Sequence, residues 1–361
     1  MQLKTVAWAA ALVTAPALLR AQVNFNFEGR DVQVHSFASQ GFAYTDQNNF
    51  LTMDTSHGSF ALTDGGVNVS GQITERLRVG AQMYIYNLGS LGQWQPHLDW
   101  AFLDYRFNKG FGLRAGRVKT ALGLSNDTQD ANFLYTWALM PQSVYPSDLR
   151  SQNISHNGLD LYGNIGLRRS GSLDYTLYAG LGSIDDKGGR YQSIGFSLPG
   201  VSAETTGAAQ QTTGGDLRWN TSVTGLTIGT SMNLNKSRSN GTVSFLGFGG
   251  PYNLRVDPER VLAVYTDYSR GKWHFSAEAR RDHSVWLVKD PLLGPSELPL
   301  DESFTGWYVT AAYRVSKWLE LGTYRSQYQG VPFDPSLFLS HLGLQSISQT
   351  AGCSSELCLS V

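Results

Sequence analysis

The chain has 361 residues, with 28 Lys and Arg against 29 Asp and Glu, and a formal net charge of −1 at pH 7. This balance argues against a nucleic-acid partner, and no stretch of about 18 apolar residues after the N-terminus marks a membrane-spanning helix. Charged residues are only 16% of the chain, against roughly 25% in soluble domains. Its 39 glycines and 12% aromatic residues are typical of strands with tight turns and lipid-facing aromatic rings.

The first 21 residues have the features of a secretory signal peptide. Lys4 supplies the positive charge, and an apolar run extends from Thr5 to Leu19. We expect cleavage after Ala21, and cleavage after Ala17 is the alternative because Leu19 is large for the minus-three position. An uncleaved anchor is a third interpretation, for which the apolar run is short.

Alternation of apolar and polar residues predicts about thirteen antiparallel strands. In 97–107, Leu103, Tyr105 and Phe107 share one face, whereas Asp104 and Arg106 share the other. An apolar face without a second layer, opposite a charged face, fits a strand between lipid and a wet lumen. The predicted strands are 32–44, 60–73, 77–85, 97–107, 111–119, 158–168, 173–181, 216–223, 226–235, 262–267, 273–280, 307–315 and 319–327.

The connections between these strands alternate in length. The short turns are 74–76, 108–110, 169–171, 224–225, 269–271 and 316–317. The long loops are near 45–59, 88–96, 120–157, 183–213, 236–258 and 282–304. Short turns on one side and long loops on the other are the pattern of an all-β, antiparallel transmembrane β-barrel. A soluble sandwich or propeller, the alternative, has no reason to keep this parity.

The C-terminal part breaks the pattern. Barrels of this kind have an even number of strands, but the thirteenth predicted strand ends on the outer side near Gln327. Residues 329–361 are rich in serine, contain Cys353 and Cys358, and show no sustained alternation. We therefore expect a signal peptide at 1–21, a barrel at 22–328 and an atypical tail at 329–361, produced by truncation or a frame shift. The alternative is a miscount by one, with an irregular closing strand at Leu337 to Leu344.

Several stretches resemble bacterial outer-membrane porins related to the phosphate-selective porin group. They are Ser36–Phe42, Asn48–Asn49, Asp99–Ala101, Asp104–Arg106, Gly112–Lys119, Met140–Pro146 and Asn157–Gly163. The resemblance is strong over 32–180 and looser to about 327. It implies a sixteen-stranded barrel in a Gram-negative-type outer membrane, often trimeric, that passes small solutes. Phosphate selectivity is not implied, because no ladder of lumen lysines is present.

Charged residues on the predicted inner face suggest where solutes pass. The long connection 120–157 is the candidate for a loop that narrows the pore. If it folds inward, a basic wall faces an acidic loop, and the resulting transverse field orients dipolar solutes. The alternative is that the arginines only pair with neighbouring carboxylates such as Asp104. The predicted pore-lining residues are Arg78, Asp104, Arg106, Arg114, Asp127, Asp130 and Arg168.

Helical spacing within this connection predicts a short helix over Asp130 to Met140, ended by Pro141. It lies either inside the barrel or on its rim.

Signals for catalysis are weak. Ser155 precedes His156, but adjacent strand residues point to opposite faces and cannot form a nucleophile–base pair. The histidines lack metal-ligand spacing, no phosphate-binding loop is present, and we expect no cofactor. The sequence therefore predicts a non-enzymatic porin for small hydrophilic solutes or ions, in contact with outer-membrane lipid. A structural or adhesive barrel with a plugged lumen is the alternative.

Overall fold

The structure is a computed structural model, and fifteen strands form most of the part it describes. The described residues are 22–27, 30–46, 48–130, 135–182, 201–245, 248–289, 297–330 and 353–360. The strands are β1 (Gln22–Phe27), β2 (Arg30–Ala43), β3 (Ser59–Gln72), β4 (Leu77–Leu88), β5 (His97–Asn108), β6 (Phe111–Lys119), β7 (Ser155–Gly166), β8 (Ser172–Gly182), β9 (Val201–Asn220), β10 (Leu226–Phe245), β11 (Phe248–Arg270), β12 (Trp273–Lys289), β13 (Leu298–Arg314), β14 (Glu320–Gly330) and β15 (Cys353–Ser360). The α-helix α1 is Arg150–Asn153.

All strands belong to one antiparallel sheet in sequence order, with β1 and β15 at its edges. The thirteen predicted strands are confirmed as β2 to β14. β1 was not predicted, because it has only six residues and directly follows the predicted signal peptide. β15 was not predicted either: it lies in the tail and pairs with β14. The signal peptide at 1–21 and the alternative strand at 337–344 lie outside the described residues, and truncation stays a prediction.

The sheet curves into a barrel around residues 120–130 and 135–154, which we call the inward segment. Tyr145 of this segment donates a hydrogen bond to Glu278 on β12. At the segment's other end, Arg150 Nη2 lies 2.8 Å from Asp99 Oδ2 on β5. One short segment reaches strands from both halves of the sheet only if the sheet wraps around it. The predicted all-β antiparallel barrel is therefore confirmed, and the long connection folds inward.

Burial along the strands is the reverse of that in a soluble β-domain. Leu103 is 56% exposed whereas neighbouring Asp104 is 8% exposed, and Leu159 is 53% exposed beside Asp160 at 1%. The apolar face therefore points outward and the polar face inward, as lipid outside and a polar interior require. Within the described residues, no helix has the length and apolar character needed to cross a membrane.

Inward tyrosines lie across glycines of the neighbouring strand. Any Cβ at these glycines would collide with the facing tyrosine side chain, so glycine allows that side chain to approach the wall closely. The hydroxyl groups then reach polar partners further along the wall, such as Asp216 for Tyr265 at 2.7 Å. The cross-strand pairs are Gly112 with Tyr162, Gly214 with Tyr178, and Gly229 with Tyr265.

In three of the predicted long loops, 183–213, 236–258 and 282–304, nearly all of the described residues are strand, which corrects the sequence analysis. β9 begins at Val201, β10 and β11 run to Phe245 and from Phe248, and β12 extends to Lys289. Alternation is visible only where one strand face is apolar. The run from Asn235 to Asn240 is polar on both faces, so its backbone pairs without leaving that signal.

Candidate functional site

The inward segment leaves and rejoins the barrel wall at one place. Thr120 N donates to Ile154 O at 3.0 Å. The Asn126 side-chain amide donates to the carbonyls of Thr120 and Asn153, each at 2.8 Å. Because β6 and β7 are neighbours in the sheet, these bonds hold the two ends of the segment together at the wall. The described residues between the two ends extend across the interior.

The far wall, β10 to β14, holds the middle of the segment. Glu278 on β12 is 3% exposed and accepts hydrogen bonds from the hydroxyls of Tyr145 and Tyr308, the latter at 3.1 Å. Arg280 Nη1 donates to the carbonyl of Val144 at 3.2 Å. Burial raises the pKa of Tyr145 well above its usual range, so its hydroxyl keeps the proton that it donates to Glu278.

The near wall, β2 to β6, holds the end of the segment through Arg150. The Nη1 and Nη2 atoms of Arg150 lie 3.1 Å and 2.8 Å from the two carboxylate oxygens of Asp99. The guanidinium also lies 4.2 Å from the ring centroid of Tyr84, a cation–π distance. Burial alone would lower the pKa of Arg150, but the Asp99 carboxylate beside it holds that pKa above its ordinary value.

A β-bulge places Asp99 in this position. Gln82 pairs with Trp100 and the next residue, Met83, pairs with Leu98, which leaves Asp99 as the extra residue. Without the bulge, Asp99 would share the outward face with Leu103. A bulge re-aims a side chain in this way.

Asp130 is a second contact between the segment and the near wall. Its carboxylate accepts hydrogen bonds from Lys119 and from the side-chain amide of Gln82 on β4. Burial alone would raise the pKa of Asp130, but Lys119, Arg150 and the Gln82 amide together hold it below its usual value. The carboxylate therefore stays ionised and paired at neutral pH.

Between the inward segment and the near wall lies a cavity of about 1780 Å³. Its wall side is formed mainly by β2 to β6, and its other side by the segment. Charged, amide, hydroxyl and aromatic side chains all border it. The far wall is occupied by the bonded segment, so the open part of the barrel lies on the near side.

Alternating charges run at one level across the neighbouring strands β4 to β7. Arg78, Asp104, Arg114 and Asp160 are direct cross-strand partners on β4 to β7. Arg114 lies 3.4 Å from Asp104 and 4.0 Å from Asp160. Its guanidinium also lies between two aromatic rings, 4.9 Å from that of Phe102 and 5.0 Å from that of Tyr162. Arg114 is thus fixed by its neighbours.

The structure places four of the seven predicted residues at the cavity: Arg78, Arg114, Asp127 and Asp130. Asp104 lies in the charge row and supports Arg114. Arg106 is exposed near the turn between β5 and β6. Both lie outside the described lining of the cavity.

The predicted position of Arg168 at the end of a strand is wrong. β7 ends at Gly166, and Arg168 begins a 3₁₀ turn with φ +52°. Leu167 N donates to Gly171 O at 2.8 Å and closes this turn. Charge alone made Arg168 look like part of the wall.

The predicted arrangement of a basic wall and an acidic loop is changed in detail. Asp130 pairs with Lys119 at the base of its own segment, and Arg114 pairs with Asp104, as the alternative interpretation expected. Arg78 donates to Ser70 Oγ at 3.3 Å. A transverse field stays a prediction.

The predicted helix over 130–140 is wrong for its described part, because 135–140 is not helical; residues 131–134 lie outside the described residues. Trp137 instead packs edge-on against Tyr324 of the far wall, with ring centroids 4.9 Å apart. Docking on the wall, rather than helical packing, accounts for the apolar spacing.

Sequence reasoning missed the pair of Asp99 and Arg150. One signal was present: strict alternation puts Asp99 on the lipid-facing side, which a carboxylate cannot occupy cheaply. That conflict indicates a bulge. Nothing in the sequence identifies Arg150 as the partner, because the two residues are 51 positions apart.

His156 is bonded to residues other than Ser155. Its Nε2 lies 2.9 Å from Asp160 Oδ1, and its Nδ1 lies 3.1 Å from Thr120 Oγ1. Its ring stacks on Tyr178, with centroids 5.1 Å apart. These contacts fix the root of the inward segment.

No protein-family model and no curated protein matches the chain. Among solved structures, the outer membrane channel DcaP of Acinetobacter baumannii is 12% identical, with a TM-score of 0.45 over 87% of this chain and 84% of that one. OmpF of Salmonella typhi, solved with daunomycin, is 9% identical, with a TM-score of 0.41 over 84% and 92%. An anion-selective porin from Comamonas acidovorans is 10% identical, with a TM-score of 0.37 over 83% and 89%. Likeness this low carries no argument, so the architecture rests on the strand pairing and the inward segment.

Proposed function

We propose that this chain forms a water-filled pore in an outer membrane of the Gram-negative type and lets small hydrophilic solutes or ions diffuse through it. The observation that carries the proposal is the inward segment, which is bonded to the far wall and borders a polar cavity of about 1780 Å³ on the near side. A diffusion pore needs a polar lining and a defined narrow part. The outward apolar face supports contact with lipid.

Within this proposal, Arg78, Arg114, Asp127 and Asp130 line the pore, and Asp104 holds Arg114 in place. Most of these charges have an opposite charge nearby, which favours weak ion selectivity over strong selectivity. Assembly into a homotrimer is proposed from the sequence resemblance alone. Cross-linking of the refolded chain, read as the mass of the linked species, tests it.

Planar-bilayer conductance of the refolded full chain, together with heat-modifiable gel mobility, tests the pore. We expect discrete conductance steps and a band that shifts on heating. A heat-shifted band without conductance would contradict the pore. It would favour the structural or adhesive barrel with a plugged lumen, which the anchoring of the segment to both walls also suits. Absence of both would contradict a closed barrel.

A further inference from the structure

The outward face of the far wall changes from apolar to basic along three neighbouring strands. Met232 on β10 and Leu262 on β11 are 49% and 51% exposed, as side chains that contact lipid are in such a barrel. Further along the same strands, the outward side chains are cationic and at least partly exposed. They are Lys236 and Arg238 on β10, Arg255 and Arg260 on β11, and Arg281 on β12. We call these five residues the basic patch.

Strand pairing puts the basic patch on the lipid-facing side of the sheet. Arg260 is the direct cross-strand partner of Leu234, and Arg281 is that of Leu262. Residues paired in this way point to the same face. Arg238 is the direct partner of Arg255, and like charges directly opposite each other are destabilising. An anion bound beside both side chains would relieve that repulsion.

Carboxylates neutralise only part of the basic patch. Within the part of the chain that the structure describes, Arg238, Arg260 and Arg281 form no ion pair. Three guanidinium groups on adjacent strands are therefore available to an anion from outside the protein. The ion pairs in and beside the patch are Lys236 with Asp257 at 2.9 Å, Arg255 with Glu297 at 3.3 Å, and His283 with Asp301 at 3.4 Å.

The basic patch lies at the outer boundary of the lipid-facing band. A tilted strand crosses the hydrocarbon in about 9–11 residues. Counted from the short turns, Lys236 is the eleventh residue of β10, Arg260 the eleventh of β11 and Arg281 the ninth of β12. The short turns of such a barrel lie on the periplasmic side, so the opposite ends of the strands lie on the cell exterior. This is the depth of the headgroups of the outer leaflet.

We propose that the basic patch binds the phosphate groups of lipopolysaccharide, the phosphorylated glycolipid of the outer leaflet. The inference rests on the outer-membrane location in the proposed function, and it does not depend on which solute passes the pore. A guanidinium group donates two parallel hydrogen bonds to a phosphate, and clustered basic side chains at a membrane boundary bind anionic headgroups. Met232 and Leu262 then contact the acyl chains of the lipid whose phosphates the arginines hold.

The test uses the refolded full chain in detergent, titrated with fluorescently labelled diphosphoryl lipid A and read as fluorescence anisotropy. Lipid A is the membrane anchor of lipopolysaccharide. We expect it to bind, and its dephosphorylated form to bind at least about tenfold more weakly. Arg238→Gln, Arg260→Gln and Arg281→Gln should each weaken binding about fivefold, which corresponds to about 1 kcal/mol for each arginine. The triple variant should weaken it about 100-fold.

Arg270→Gln is the matched control, because Arg270 is exposed at the turn end of β11, on the other side of the membrane. Its affinity for lipid A should equal that of the parent chain. Heat-shifted gel bands check the folding of every variant, and the single variants keep the test if the triple variant does not refold. Equal affinity in the patch variants and the control would overturn the inference, as would equal affinity for lipid A with and without its phosphates.

Two further measurements separate this inference from its alternatives. Displacement of lipid A by millimolar inorganic phosphate at constant ionic strength would assign the patch to free phosphate and overturn the lipid as its ligand. Planar-bilayer conductance should be the same in the patch variants as in the parent chain, because the patch faces away from the cavity. Binding of lipid A without any conductance would contradict the pore and support this inference. Conductance without binding would overturn this inference and support the pore.

Discussion

Removal of the Arg150 side chain should open the narrow part of the barrel without unfolding the wall. The pair of Arg150 and Asp99 is buried, with the two side chains 11% and 2% exposed, and both carboxylate oxygens are bonded. Deleting one member of such a pair costs about 3–5 kcal/mol, because the other charge is left buried and unpaired. The contact with Tyr84 is part of the same loss. Since Tyr145 still holds the middle of the segment, we expect only its α1 end to detach.

Single-channel recording measures this effect, because a detached α1 widens the path along the near wall. Arg150→Ala should show higher and noisier conductance and a lower urea midpoint. Arg150→Lys keeps the charge but loses the two-pronged geometry, so it should fall between. The double variant Asp99→Ala with Arg150→Ala leaves no orphan charge and should recover part of the stability. Arg169→Ala, at an exposed turn, is the control. Parental conductance and parental stability in Arg150→Ala would refute the reasoning.

Three further predictions concern the other contacts. Tyr145→Phe removes the hydroxyl that donates a hydrogen bond to Glu278 and leaves the buried carboxyl group of Glu278 with one partner fewer. It should lower the free energy of unfolding, measured by urea titration, by about 1–3 kcal/mol. An unchanged free energy would mean that this hydrogen bond does not anchor the segment. Because the pKa of Asp130 lies below its ordinary value of 3.8, its bond to Lys119 stabilises the segment above that pH and is lost only as the pH falls through the lowered value. Conductance should therefore stay constant from pH 7 to about 4 and rise below it, whereas Asp130→Asn should show no such rise. Arg106→Ala should leave ion selectivity unchanged in reversal-potential measurements, because Arg106 lies outside the described cavity lining. A clear shift of the reversal potential would show that Arg106 contributes to the pore.

The strands were predictable because lipid and a polar interior impose a period of two on every one of them. Leu103 and Asp104 are adjacent in sequence, and the first is exposed whereas the second is buried. The apolar and polar alternation that accompanies this contrast is visible in the sequence. The same period of two led to the wrong position for Arg168, because the sequence alone does not distinguish a charged residue in a turn from one on the inner face of a strand. It also hid the end of β10, where both faces of the run from Asn235 to Asn240 are polar. Alternation of apolar and polar residues identifies a strand between lipid and a polar interior, and the signal is lost where both faces of a strand are polar.

The site was less predictable, because its contacts join residues distant in sequence. Arg78, Arg114, Asp127 and Asp130 were found from charge and position. The bonds that determine the shape of the interior depend on which carboxylate the segment meets when it crosses the barrel. Glu278 lies 133 positions from Tyr145, and no local pattern links them. The bulge at Asp99 is the exception, because a carboxylate in a lipid-facing register is a local contradiction that a sequence can reveal.

The two walls of the barrel have different chemistry, and in the proposed pore this difference determines where a solute passes. On the far wall, buried hydrogen bonds to Tyr145 and Val144 hold the segment, and displacing it would leave Glu278 and Arg280 without those partners. Beside the near wall, Arg114 pairs with Asp104 and Asp160 of the wall strands themselves, whereas Asp99 and Gln82 bond to the segment. In the proposed pore, a solute that moves past Arg114 therefore meets charges that the wall holds without the segment. The segment narrows the proposed pore from the far wall and leaves the space in front of Arg114 as the passage.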